Sequence, residues 1–119
     1  MSGVRKFRWD DIAWDVLNER GMRKLVTGEK VMLAMFSFKK GGSVPLHRHV
    51  SEQVSIVLKG LLKFTMEDGS TYEVGAGEVF VIPSNMGHAA EVLEDAQVID
   101  VFSPPREDWI RGDDSYLRR

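Results

Sequence analysis

His47-Arg48-His49-Val50-Ser51-Glu52-Gln53 places two of the chain's three histidines two positions apart, between a glycine pair (Gly41, Gly42) and the aliphatic run from Val54 to Leu58. In extended chain, residues i and i+2 share a face, so His47-x-His49 aims both imidazoles into one space. Gln53 keeps that parity, with Ser55 and Val57 continuing the face, provided the strand has no bulge. A bulge shifting the register would bring Glu52 there instead. The third histidine, His88, follows Pro83-Ser84-Asn85-Met86-Gly87, a turn signal that ends a second apolar run, Val79 to Ile82. Set together, His47, His49, Gln53 and His88 are a candidate set of ligands for one divalent ion. For an isolated His-x-His, a hydrogen-bonded surface pair is the plainer reading.

Outward from this stretch the chain reads as short strands and turns. Residues 22–27 lead through a Gly28-Glu29 turn to residues 31–38, which are apolar on both faces and too short for a capped helix, as in a buried strand. Residues 39–45 read as a loop delivering the chain to His47. Residues 54–59 and 61–66 are separated by Gly60, residues 71–74 follow the turn at 67–70, and residues 78–82 follow Gly75-Ala76-Gly77. Residues 89–93 and 96–103 stand either side of Glu94-Asp95. Near the start, Ile12, Trp14 and Val16 alternate with Ala13, Asp15 and Leu17, which suits a short strand or edge segment, with a single amphipathic turn as the alternative. Strands of this length with regular turns and no long helix imply an all-β sandwich or barrel.

Composition narrows the function. A chain of 119 residues is expected to form one domain, 1–119, with one core and one site. The formal charge of -2 is scattered, with no basic patch, so no nucleic-acid partner is expected. The absence of cysteine excludes disulfides, thiolate nucleophiles and zinc fingers, leaves any metal to nitrogen and oxygen ligands, and suits a reducing, cytoplasmic setting. No apolar run reaches the length of a bilayer span, so no membrane partner is expected. No G-x-G-x-x-G or G-K-[ST] pattern occurs. Trp9 and Trp14 are more aromatic surface than one small barrel has interior to bury, which points to a homodimer.

Written out, Gly41-x5-His47-x-His49-x3-Gln53-x6-Gly60 resembles the first motif of the cupin superfamily, with Gln53 where that motif usually has Glu. Gly77-x5-Pro83-x-Asn85-x2-His88 resembles the second, with Asn85 in place of Gly and Val92 where it usually ends in Asn. The resemblance spans about residues 30–103 and implies an all-β, single-domain cupin jelly-roll, a double-stranded β-helix barrel. It also implies one divalent metal held by two His, a carboxylate or amide, and a late His. Ligand chemistry admits Zn, Ni, Mn, Fe, Co or Cu.

The ending Leu93-Glu94-Asp95 through Ser103-Pro104-Pro105-Arg106-Glu107-Asp108-Trp109 is similar to that of the pectin-degradation cupins that open unsaturated uronate monosaccharides. What that resemblance implies is a small carboxylated sugar as substrate and active-site roles for Asp100, Phe102 and Arg106. Asp100 would move a proton, Arg106 would clamp the carboxylate with a two-pronged hydrogen bond, and Phe102 would form an apolar wall. The residues themselves allow a competing reading. Val98, Asp100 and Phe102 share a strand face, and a mid-strand acid is costly unless it is paired or faces a wet cavity. A structural Asp100–Arg106 ion pair over a core Phe102 meets that requirement too. Met32, Met35, Met66 and Met86 could line the barrel, although core filler is their plainer role. Two other functions share these motifs: a small metal-dependent cupin dioxygenase, and a non-catalytic cupin that binds a sugar or effector.

Overall fold

Alternation of inward and outward residues builds eight strands in the computed structural model, which describes residues 3–119. They are β1 (Asp15–Asn18), β2 (Gly21–Thr27), β3 (Met32–Phe38), β4 (Ser43–His47), β5 (Glu52–Met66), β6 (Thr71–Gly75), β7 (Val79–Ile82) and β8 (His88–Ser103). One antiparallel sheet contains them all, in the order β1-β2-β3-β8-β5-β6, with β4 also on β8 and β7 also on β5. The two long strands run side by side, Glu52 opposite Ser103 and Met66 opposite His88. Each changes its other neighbour part-way: β5 pairs first with β7 and then with β6, and β8 first with β4 and then with β3. The sheet therefore folds over on itself into the expected jelly-roll barrel.

The fold-over occurs where two breaks were expected. Gly60 and Glu94-Asp95 are bends inside β5 and β8, with register shifts between Val57 and Leu62 absorbing the extra residues. Gly60 has φ +86°, and a Cβ added there would overlap the Asp95 carbonyl oxygen and lie 2.7 Å from Ala96 Cα. Gly60→Ala is therefore expected to cost about 2–4 kcal/mol, through backbone strain and overpacking together. A thermal melt indistinguishable from wild type would show that the bend tolerates a side chain.

Two apolar clusters fill the barrel. One gathers Val57, Leu62, Phe64, Ile82, Val92 and Val98, and the other joins Met32, Ala34, Phe36 and Phe102 to Leu17, Trp109 and Leu117. Trp109 and Leu117 belong to the segment after β8, which forms α1 (Glu107–Ile110) and a 3-10 turn, Ser115–Leu117. That segment is anchored to the first two strands: Arg23 meets Asp114 at 2.7 Å, Arg118 meets Asp15 at 2.9 Å, and Asn18 Nδ2 donates to the Leu117 carbonyl at 2.9 Å. Its last turn packs against β4, the strand that ends in His47.

At the other end, Trp9–Asp11 is a 3-10 turn, and strand structure begins only at Asp15. Trp9 and Trp14 are half-buried against their own chain, because Lys24 Nζ donates to the Trp9 carbonyl at 2.6 Å and lies 4.5 Å from the centre of the Trp14 ring. Of the expected loop at 39–45, Ser43 onwards is strand. Among the described residues no helix is long and apolar enough to cross a membrane.

Candidate metal centre

The three histidines meet at one end of the barrel although they do not lie on one strand. β4 ends at His47, the chain bends through Val50 and Ser51, and β5 starts at Glu52. His47 faces His88 across the β4–β8 pair. Between them, two hydrogen bonds to backbone carbonyls place His49: the Asn85 N–H donates to the His49 carbonyl at 2.8 Å, and Ser51 Oγ donates to the Pro104 carbonyl at 2.6 Å. Asn85 has φ +62°, a left-handed conformation that Gly or Asn accepts most readily, which accounts physically for Asn at the position where the second motif usually has Gly.

Each ring is tethered through Nδ1 to a carbonyl two residues away. His47 reaches the Pro45 oxygen at 2.8 Å, His49 the Ser51 oxygen at 2.8 Å and His88 the Met86 oxygen at 2.9 Å. A carbonyl only accepts, so each Nδ1 carries the proton and each neutral ring keeps its lone pair on Nε2. Ring centroids lie 4.3 to 5.5 Å apart, and one nitrogen from each ring falls within 4.8 Å of the others. Burial pushes His47 and His49 down to about 4 and also lowers His88; the Arg106 charge adds to the effect at His49 and His88. At neutral pH the lone pairs are thus free of protons.

Gln53 completes the set. It is buried, and Ser55 and Val57 follow it inward, since β5 carries no bulge before Val57. Glu52 is exposed on the opposite face. The Gln53 amide nitrogen donates to Ser55 Oγ at 3.0 Å, leaving Oε1 to face His49 Nε2 at 3.1 Å. With His49 neutral and its proton on Nδ1, this contact sets two lone pairs against each other unless the amide turns over, and a shared proton or cation would relieve it. Burial opposes the proton. Three proton-free imidazole nitrogens and an amide oxygen are the donor types a divalent ion takes, so the set fits a metal ion.

Around this cluster lie the other residues singled out in the sequence. Asp100, Phe102 and Arg106 line a cavity of about 40 Å³ together with His47, Gln53 and His88. Burial raises the Asp100 carboxyl to about 7, against the opposing pull of the Ser55 hydroxyl and the Arg106 charge, and Asp100 Oδ1 is sealed without a hydrogen-bond partner. Arg106 does not pair with Asp100. Its Nε and Nη2 meet the two Asp108 oxygens at 3.0 and 2.7 Å, so the two-pronged edge expected for a substrate carboxylate is taken. Nη1 remains, buried and without a partner. Phe102 is core, set edge-on to His49 with centroids 5.5 Å apart and behind Arg106, so it supports the ring from below. No methionine lines the cavity. Met32 and Met66 are core, and Met35, on the other face of β3, is buried there beside Ile99.

Tyr116 is the residue that no sequence signal marked. Its hydroxyl accepts from Arg106 Nη2 at 2.7 Å and Trp109 Nε1 at 3.1 Å, and its ring lies 5.1 Å from that of His47. Outside His49 a larger pocket of about 420 Å³ opens, lined by Arg48, Ser51, Arg106 and Arg111 among others.

Comparison with known proteins agrees with this fold. The Cupin_2 model, described as "Cupin domain", matches residues 34–102, more than half of the chain. The pectin degradation protein KdgF of Dickeya dadantii (strain 3937) is 29% identical over 109 residues, which cover 89% of this chain and 98% of that protein. Among solved structures, KdgF from Halomonas sp. superposes with a TM-score of 0.79 at 30% identity, over 87% of this chain and 97% of the other. An RmlC-like cupin from Shewanella frigidimarina NCIMB 400 superposes with a TM-score of 0.81 at 26% identity, over 90% and 96%.

Proposed function

Because this chain belongs to the cupin domain family, we propose that it is a metal-binding cupin of pectin breakdown that opens the ring of 4,5-unsaturated uronate monosaccharides. The observation that carries the metal is the convergence of three imidazoles, each tethered through Nδ1 so that its Nε2 lone pair is free, beside the Gln53 amide. His47, His49, Gln53 and His88 would hold the ion, all from one chain. When bound, a divalent ion there supplies an undiminished positive charge, since all four ligands are neutral, and polarises sugar oxygens. The likeness to the two KdgF proteins supports the substrate class.

Ring opening is an isomerisation. The anomeric hydroxyl loses its proton as the ring C–O bond breaks, leaving an aldehyde and an enol. The enol then gains a proton on carbon and loses one from oxygen, so protons balance without a co-reactant. Asp100, with a carboxyl near 7, both accepts and returns a proton at neutral pH. Its 40 Å³ cavity has room for water and not for a sugar, so the proton travels through a water there. The sugar occupies the pocket outside His49, which has the volume for a monosaccharide. Arg106 borders both spaces. Asp108 and Tyr116 hold its guanidinium and leave Nη1 buried without a partner. As an assembly the protein is a homodimer.

The test is incubation of the metal-loaded protein with a 4,5-unsaturated uronate while the ultraviolet absorbance of the conjugated double bond is followed. Loss of absorbance without oxygen consumption is expected. Oxygen uptake would identify a dioxygenase instead, and binding without loss of absorbance a non-catalytic sugar-binding protein.

A further inference from the structure

A sugar acid differs from a neutral sugar by one carboxylate, and a carboxylate is held best by a guanidinium that presents two N–H groups in one plane. Arg106 has no such edge to give, because Asp108 occupies its Nε and Nη2 at 3.0 and 2.7 Å. Two other arginines line the pocket outside His49: Arg48 and Arg111. Arg48 is held by Glu67, whose Oε2 lies 2.6 Å from Nη2. Arg111 is different. Among the described residues its guanidinium makes no hydrogen bond, and the nearest carboxylate, Asp113, stands 3.6 Å away with both side chains more than half exposed. An exposed pair at that distance holds neither group firmly.

The stem beneath that free head is fixed. Arg111 closes α1, its N–H donating to the Glu107 carbonyl at 3.0 Å, and the Gly112 N–H donates to the Trp109 carbonyl at 3.0 Å. Trp109 is itself buried in the barrel, edge-on to Phe36 and Phe102. Glu107, one turn before Arg111 on the same helix, lines the same pocket, is exposed, and has no ion-pair partner among the described residues. The i, i+4 spacing would let Glu107 and Arg111 meet, yet they do not pair. One wall of the pocket therefore offers a free acceptor for sugar hydroxyls and a free fork for a carboxylate, which together are the complement of a hydroxy acid.

We infer that Arg111 recognises the carboxylate of the sugar acid and so sets the preference of this site for uronates over neutral sugars, with Glu107 accepting a hydroxyl of the same sugar. The inference rests on the reading that the sugar occupies the pocket outside His49. Arg106 keeps a different part, its charge fixed by Asp108 and Tyr116 between that pocket and the cavity of Asp100. An arginine at a helix C-terminus also interacts with the last carbonyls of its helix. That role alone would show in the melting temperature and not in ligand preference.

Calorimetry with galacturonate and galactose, neither of which has a double bond to lose, reads recognition apart from ring opening. The metal-loaded wild type is expected to bind galacturonate at least about tenfold more tightly than galactose, with a margin that shrinks as salt rises. Arg111→Ala is expected to bring the two sugars within about twofold, Arg111→Lys to keep part of the margin, and Arg48→Ala to keep most of it. In turnover of the unsaturated uronate, Arg111→Ala should raise KM about tenfold or more while kcat changes less than about threefold, with metal content unchanged. An Arg111→Ala protein that keeps the full margin, or an Arg48→Ala protein that loses it, overturns the clamp and leaves ring opening standing. A wild type that prefers galacturonate through Arg111 yet leaves the absorbance of the unsaturated uronate unchanged overturns ring opening and keeps the clamp. Equal binding of the two sugars by the wild type overturns the clamp outright.

Discussion

Replacing both His47 and His88 by Ala is expected to lower the metal content from about one ion per chain to below about a tenth, with the barrel still folded. The two rings face each other across β4 and β8 with centroids 4.3 Å apart, and they leave only His49 and Gln53 when removed. A loop histidine and a strand amide, both neutral, do not hold a labile divalent ion against buffer and water. The cost to the metal-free fold is smaller. The Pro45 and Met86 carbonyls each lose the ring N–H that satisfies them, at about 1–3 kcal/mol for a buried acceptor and less where water replaces it. Elemental analysis should be paired with melts in the presence and absence of added zinc. Wild type gains stability in proportion to the logarithm of free metal over its dissociation constant, and the double variant gains none. Glu52→Gln is the control: its side chain is exposed on the other face of β5, so metal content should stay unchanged. Full occupancy in the double variant would remove this cluster as the metal site.

Much of this site was legible because a strand has a period of two. Gln53, Ser55 and Val57 alternate inward as their parity requires, since β5 carries no bulge between Glu52 and Val57, and that choice also sets Glu52 outside. The histidines were brought together correctly for a reason only partly in view. His47 and His49 are not on one strand, and what aims them is a carbonyl tether two residues from each ring, which any residue type could supply. Gly60 read as a break because glycine serves turns and bulges alike; only the Asp95 and Ala96 backbone across the sheet shows that it is a bend. Glu94-Asp95 misled for the matching reason, being the exposed outside of that bend. Arg106 had two carboxylates to choose from. Local geometry decided it, since Asp108 lies two residues on and presents both oxygens, whereas Asp100 sits on β8 behind the ligands. Tyr116 reaches the site only because the chain after β8 folds back over β4, and nothing in its local sequence specifies that path.

Asp100→Asn is expected to lower turnover by about 10²–10⁴ while making the metal-free protein more stable above neutral pH. The sign follows from the direction of the shift. Burial raises the Asp100 carboxyl from 3.8 to about 7, so between those values the folded chain holds a proton that the unfolded chain has lost. Unfolding then releases a proton, and stability falls as pH rises through that window. The stabilisation is complete below the unfolded value and lost above the folded one, with a total of about 4 kcal/mol. Asn has the same shape and no charge, so it removes the slope: variant and wild type should melt alike near pH 4, and the variant should melt higher at pH 8. A structural ion pair predicts the reverse, because removing its acid would strand a buried guanidinium at about 3–5 kcal/mol. Arg106 is paired with Asp108 and Asp100 Oδ1 has no partner, which is why the first outcome is expected. A buried acid kept at the cost of stability is intelligible if it moves protons beside the metal ligands. Melts of chelated protein across pH, with turnover measured on the metal-loaded enzyme, decide the matter. An Asp100→Asn protein that melts well below wild type at pH 8 and keeps its turnover would return Asp100 to the scaffold.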